Sequence, residues 1–342
     1  MSTKNQNLFQ QLTPAQGAKV YAKLSKEVTA AGILDRDYPF YAFLISFVFC
    51  AFTASLLGII FSNNPLALSL WCIAFGFFTV QIGGLLHDAG HRTIFKSVKL
   101  NDAAGYLFSS IVTISFSNWK LRHNAHHAKP NDLEDDPDIQ LPILSFSEDL
   151  MRSKKGIERI LGRYQSYLYF PMLSLASIAE RIGHIFYFKN NHQEKRTIEA
   201  VIFTAGIFVW FILPFIVFDV GKAIMIFLVV SATSGFYIGN IFAPNHKGMP
   251  IIKKGEKLSF LEQQIVTSRN VKRGLLTDFV YLGLNYQIEH HLFPSCPRNK
   301  LKLITPYVKK VCAQEGLEYT ETGIIHSNKI ILAELSRIAL VA

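Results

Sequence analysis

Four apolar stretches limit what this chain can fold into: Phe40–Phe61, Pro65–Leu86, Ala200–Phe218 and Ala223–Ala243. As helices, runs of about 20 residues match the hydrocarbon core of a bilayer. Only residues 62–64 join the first two, and only residues 219–222 join the last two. Two tight helical hairpins are therefore expected, with a long polar segment between them. The basic residues set the expected orientation. Lys and Arg number 5 in residues 1–39, 15 in 87–198 and 14 in 245–342, which leaves only Lys222 of the 35 in the chain. With four spans these three segments share one side, and the positive-inside rule makes that side the cytoplasm.

Two further apolar segments fit a span less well. Ala104–Asn118 is too short, and Tyr164–Phe188 contains Pro171, Glu180 and Arg181. If the second crossed, the C-terminal basic segment would move to the opposite side, so both are read as helices in the interface or against the protein. Residues 14–34 have helical period and charges of both signs, as in an interfacial or packing helix. The expected class is an all-α membrane protein, with four transmembrane helices in two hairpins and a cytoplasmic helical cap. Its expected parts are a cytoplasmic N-terminal segment (1–39), a transmembrane domain (40–310) and a cytoplasmic C-terminal tail (311–342). Only 18% of the residues are charged, against roughly 25% in soluble domains. A formal net charge of +10 suits anionic lipid or an acidic protein, and with four spans no nucleic-acid partner is expected. Cys50, Cys72, Cys296 and Cys312 show no paired spacing, which argues against a disulfide framework or a zinc ribbon. Residues 1–39 lack the apolar core of a cleavable signal peptide.

Eight of the eleven histidines fall in four clusters. His87 and His91 form "HDAGH" at the end of the second span. His123, His126 and His127 form "HNAHH", whose i, i+3, i+4 spacing places three imidazoles on one helix face, aimed at one spot. His246 follows the fourth span in "APNHKG". His290 and His291 close "QIEHH", in which Gln287 takes the first place of the same spacing. In the four-span topology all four clusters emerge on one side. Eight imidazoles exceed the three or four protein ligands of a zinc site. With the Gln287 amide they suit two ions of intermediate softness, such as iron, zinc, copper or nickel. Asp88, Asp135, Asp136, Asp138, Asp278 and Glu289 could orient ligand imidazoles, although a solvated charge or cap suits most of them, and Asp136-Pro137 reads as a turn. The HExxH signature of zinc hydrolases is absent. An all-nitrogen site with open positions is better suited to activating O₂ at iron. His184, His192 and His326 lie outside the clusters, and "MRSKKG" (151–156) could hold the phosphates of coenzyme A or a lipid headgroup, although a solvated basic loop near anionic lipid is the preferred reading.

"HDAGH", "HNAHH" and "QIEHHLFP" resemble the three histidine boxes of the membrane fatty acid desaturase family, over roughly residues 35–310. The resemblance implies two non-haem irons that use O₂ and two electrons to remove hydrogens from a fatty acyl chain held at the membrane. It implies His87, His91, His123, His126, His127, His290 and His291 as iron ligands, with His246 as a further one and Gln287 as a candidate. Asn245 is either a water-bridging neighbour or a turn residue. "QxxHH" resembles the subgroup that includes front-end desaturases, which often carry a fused cytochrome b5 domain. The chain has no "HPGG" haem motif, so the resemblance implies a bacterial-type relative with a separate ferredoxin or cytochrome b5 as electron donor. Other readings are a di-iron hydroxylase or ketolase on alkyl, carotenoid or sterol substrates, a metal transporter or sensor, and a membrane zinc hydrolase. A transporter would place its ligands near the bilayer midplane, whereas these clusters lie at the span ends.

Overall fold

The computed structural model describes residues 12–190 and 194–342. Its helices are α1 Pro14–Ala30, α2 Tyr38–Phe61, α3 Pro65–Gly90, α4 Val98–Val112, α5 Phe116–Ala128, α6 Glu148–Ser153, α7 Gly156–Gly162, α8 Gln165–Ser174, α9 Ala176–Asn190 and α10 Glu194–Ile207. A π-helical turn, Phe208–Ile212, leads into α11 Leu213–Val217. There follow α12 Val220–His246, α13 Phe260–Val266, α14 Leu275–Val280, α15 Gln287–Leu292, α16 Leu301–Glu315 and α17 Ile324–Ala339. Two residue pairs interrupt the helical order: β1 Asn270–Val271 runs parallel to β2 Glu321–Thr322.

Among the described residues four helices are long and apolar enough to cross a membrane: Tyr38–Phe61, Pro65–Gly90, Thr197–Val217 and Val220–His246. They correspond to the four expected stretches but reach further. α3 continues past Leu86 through "HDAG", and α12 continues past Ala243 to His246, where Lys247 N still donates to Ala243 O at 2.9 Å. His246 therefore sits in the last helical turn rather than beyond it. The third is not one regular helix. Pro214 has no N–H to give the preceding turn, and the ladder widens into the π turn just before it.

Contacts divide the chain into two compact units. One comprises Arg36–Leu121 and Phe170–Asn240 and holds most of the apolar helices. Asn64 caps α3 with its side-chain oxygen, which accepts from Leu66 N and Ala67 N at 3.0 Å, and Pro65 occupies the first turn where its missing N–H costs nothing. Gly58 lets α2 approach α3, since a Cβ there would meet the Trp71 ring at 2.2 Å. The expected helix Ala104–Asn118 is two helices, α4 and α5, parted at Thr113 in the left-handed region (φ 58°). The expected Tyr164–Phe188 likewise becomes α8 and α9. Their junction rests on α12 where Gly235 lacks a side chain; a Cβ there would lie 2.6 Å from Ser174 O.

The other unit comprises Arg122–Tyr169, Ile241–Ala342 and residues 12–35. Thr13 and Gln16 form a reciprocal capping box at the start of α1. Leu24 and Val28 of α1 pack with Leu261 and Ile265 of α13, Ile288 and Leu292 of α15, and Ile304 and Val308 of α16. This core fixes α15, the short helix of the third histidine motif. "MRSKKG" is not wholly a solvated loop: Lys154 is buried and donates to Leu141 O at 2.7 Å and to Pro142 O.

Candidate metal centre

"HNAHH" lies on α5, as its spacing predicts. Its three imidazoles do not converge on one point, however. An α-helix turns about 100° per residue, so residues three and four places on from His123 diverge to either side of it. His123 and His127 group with His290, while His126 groups with His246 and His291. Within each triplet one ligand atom per residue lies within 4.8 Å of the others. The triplets adjoin, since the rings of His127 and His291 stack at 4.3 Å.

The second triplet shows how the protein orders such a site. His126 Nδ1 is 3.0 Å from Asp136 Oδ2, His246 Nδ1 is 3.1 Å from Thr267 O, and His291 Nδ1 is 2.8 Å from Gln264 Oε1. All three acceptors are oxygens, so each Nδ1 carries the proton and each Nε2 keeps its lone pair. Gln264 cannot be turned round without loss, because its Nε2 donates to His127 O at 3.2 Å. Three buried nitrogen lone pairs set by oxygen partners on the far side of each ring form a donor set that fits a metal ion of intermediate softness. In the first triplet, His290 Nε2 and His127 Nε2 are 3.1 Å apart.

Asp136 departs from the expected solvated charge. It is fully buried, and besides His126 it accepts from Asn131 N at 2.8 Å and Asp138 N at 2.9 Å. Burial lowers the His126 pKa, but the hydrogen bond and charge of Asp136 outweigh it and the net shift is upward. Burial raises Asp136, and His126 more than reverses that. The other acids differ. Glu289 is buried beside the ligand positions and accepts from Asn270 Nδ2 and Tyr319 Oη, each at 2.7 Å, while Asn270 Oδ1 accepts from Ile288 N at 2.9 Å. That network clamps α15. Asp135 pairs with Lys129 at the surface. Asp138 pairs with Arg122 at 3.5 Å, and Asp278 accepts from Asn285 Nδ2 at 2.8 Å and Tyr286 Oη at 3.2 Å.

Gln287 is buried, with Nε2 2.8 Å from His246 Nε2 and Oε1 accepting from Asn245 Nδ2 at 3.0 Å. The Asn245 amide also donates to Ile241 O and Leu284 O, both at 2.9 Å, tying α12 to the turn before α15. Arg269 was not legible from sequence. Fully buried, it donates to Pro244 O through Nε at 2.8 Å and to Lys247 O through Nη2 at 2.9 Å, while its own N–H donates to Asn245 O at 2.7 Å. It satisfies the last carbonyls of α12 on both sides of His246, and a cation suits that helix end.

In the other unit, His87 lies in the last turn of α3 and His91 caps it, their ring centroids 4.6 Å apart. Burial, then the neighbouring His87, pushes the His91 pKa well below its usual value, which keeps the ring neutral. Asp88 lies 3.7 Å from His87 Nδ1. The glycine of "HDAGH" has a steric reason: a Cβ on Gly90 would lie 2.4 Å from the Trp119 ring. Among the remaining histidines, His184 is buried as a structural residue, with Nδ1 2.9 Å from Asn118 Nδ2 and Nε2 3.2 Å from Glu180. His326 is exposed, and His192 lies outside the described residues.

The sequence model of the family described as Fatty acid desaturase matches residues 63–323. The chain is 29% identical over 332 residues to a Delta(8)-fatty-acid desaturase of Euglena gracilis, covering 91% of this chain and 76% of that protein. It is 31% identical over 276 residues to an Acyl-lipid (9-3)-desaturase of Physcomitrium patens, covering 76% of this chain and 51% of that protein. Fatty acid desaturase 3 of Homo sapiens is 29% identical over 323 residues, 90% of this chain and 71% of that protein.

Proposed function

Because the chain belongs to the fatty acid desaturase family, an oxidoreductase family, we propose that it is an O₂-dependent di-iron enzyme that introduces a cis double bond into a fatty acyl chain, acyl-lipid or acyl-CoA. The single observation that carries the metal part of this reading is the pair of histidine triplets, in one of which every Nδ1 is tied to an oxygen. We assign His126, His246 and His291 to one iron and His123, His127 and His290 to the other. From their place in "HDAGH", His87 and His91 complete the ligand set, with Gln287, whose amide lies against His246 Nε2, as the remaining candidate. When bound, iron supplies O₂ activation, so that two hydrogens leave adjacent carbons of the acyl chain and, with two electrons and two protons from outside, O₂ ends as two waters.

The protein's own part is to aim these nitrogens. Asp136, Thr267 and Gln264 fix three tautomers, and Arg269 and Asn245 hold the end of α12 that presents His246. The relatives' names include Delta(8)-, Delta(5)- and Delta(6)-desaturases, and with the QxxHH motif they support a double bond on the carboxyl side of an existing one. We further propose four spans over residues 40–310, with the N-terminal segment, the histidine motifs and the 311–342 tail all cytoplasmic. There a basic face would dock a ferredoxin or cytochrome b5 type donor.

Expression in a host of simple lipid content, with gas chromatography and mass spectrometry of its fatty acids, tests the reading. The expected product is an acyl chain lighter by two hydrogens with no added oxygen. A product with a new hydroxyl or keto group would convert the reading to a hydroxylase or ketolase.

A further inference from the structure

A cavity of about 350 Å³ lies within the unit of apolar helices, a volume in the range of small-ligand sites. No histidine lines it. Its walls are apolar: Leu56 and Ile60 near the end of α2, Trp210 and Phe211 in the π turn, Val217 in α11 and Ile226 in α12. Three of the hydroxyls along it are engaged with the backbone. Thr79 Oγ1 donates to Phe75 O at 2.7 Å, Ser177 Oγ to Ser231 O at 2.8 Å, and Ser234 Oγ to Gly76 O at 3.1 Å.

One formal charge lines the cavity, Arg181 of α9. Its Nη1 donates to Ser177 O at 2.6 Å and its Nη2 to Val112 O at 2.9 Å, at the C-terminus of α4. Its guanidinium lies 5.0 Å from the centre of the Phe211 ring. A purely structural cap would account for the two carbonyl bonds. It does not pair the charge, because among the described residues no carboxylate forms an ion pair with Arg181, and Glu180, whose charge acts on it only through space, is turned to His184 at 3.2 Å. Nε is buried without a hydrogen-bond partner. A cation among apolar helices is costly unless an anion faces it, and ionisable groups in such places mark ligand sites.

We propose that this cavity binds an alkyl chain with an anionic head, carboxylate or phosphate, its head on Arg181 and its chain along the apolar wall. No histidine of either triplet lines the site, and the proposal does not rest on the desaturase reading.

The test is binding by the delipidated full-length protein in neutral detergent, followed by native mass spectrometry. The probes are palmitate, palmitoyl lysophosphatidate and neutral palmityl alcohol. The expected result is at least tenfold tighter binding of one or both anions than of the alcohol. Preference for palmitate alone assigns a free fatty acid, and preference for lysophosphatidate assigns a phospholipid headgroup. Arg181→Gln should abolish the preference, Arg181→Lys should keep part of it, and Ile226→Trp should block all three probes by filling the cavity. Equal binding of anions and alcohol would overturn the proposal, as would anion preference that survives Arg181→Gln or binding that survives Ile226→Trp. If Arg181→Gln does not fold, the Lys and Trp variants decide alone. Binding as described in a protein that desaturates nothing would leave this site standing and remove only the proposed function.

Discussion

Replacing Asp136 by Asn isolates what holds His126 in its ligand form. The change keeps shape and removes charge. Asp136 is fully buried and its carboxylate accepts from His126 Nδ1, Asn131 N and Asp138 N at 3.0, 2.8 and 2.9 Å. A carboxamide has one acceptor oxygen. If that oxygen serves His126 and Asn131, its NH₂ meets the Asp138 N–H. If it serves Asp138, the NH₂ meets two donors. Either way a charge-assisted bond of about 1.5–3 kcal/mol is lost, and a buried donor left unpaired costs roughly 1–3 kcal/mol. Where the NH₂ faces His126, the ring gains by moving its proton to Nε2, which removes the lone pair a metal needs. Loss of such an orienting partner typically weakens metal affinity by about 10–100-fold. The assay is metal retention by the purified protein against a graded chelator, with thermal unfolding on the same samples. Asp138→Asn is the control, since that carboxylate is 41% exposed and 3.8 Å from His126; an exposed pair at that range contributes little, about 0–1 kcal/mol. Asp136→Asn should lose metal from the His126–His246–His291 triplet and melt earlier, while Asp138→Asn stays close to the parent. Equal chelator resistance in all three proteins would refute the claim that Asp136 sets the His126 tautomer.

Three further outcomes are expected. Gln287→Ala should lose most desaturation while retaining at least one iron, and Gln287→His should retain metal; full activity in Gln287→Ala would make Gln287 a packing residue. Arg269→Ala should lower stability by roughly 2–5 kcal/mol in thermal or denaturant unfolding, because it leaves the carbonyls of Pro244 and Lys247 buried and unpaired; an unchanged transition would count against its role at the end of α12. With exposed Cys50 first replaced by Ser, single cysteines at Asn63 and Gly221 should react with an impermeant reagent from outside the cell, and one at Ser153 only from inside. An outside-reactive Ser153 would contradict the four-span topology.

The apolar helices were legible because apolar length is additive along the sequence. The four apolar helices follow from that length, and α5 and α15 from the spacing of their histidines. The ends were less legible. An apolar criterion stops at Leu86 and Ala243, but backbone hydrogen bonds continue through polar residues, so His87 and His246 ride on the apolar helices themselves. The division of "HNAHH" between two triplets depends on which elements approach each side of α5. Asp136 is one of several acids between residues 132 and 138, and nothing local marks it as the buried one. Arg269 belongs to no motif; its role arises only when α12 ends beside it. Gly90 was visible as part of "HDAGH", but its steric reason is the Trp119 ring, which only the folded chain places there.

The number of iron atoms per chain tests the central claim most directly. Elemental analysis of the full-length protein, expressed with iron supplied and purified without chelator, should find close to two irons per chain and little zinc. One zinc per chain with no iron would contradict the di-iron account.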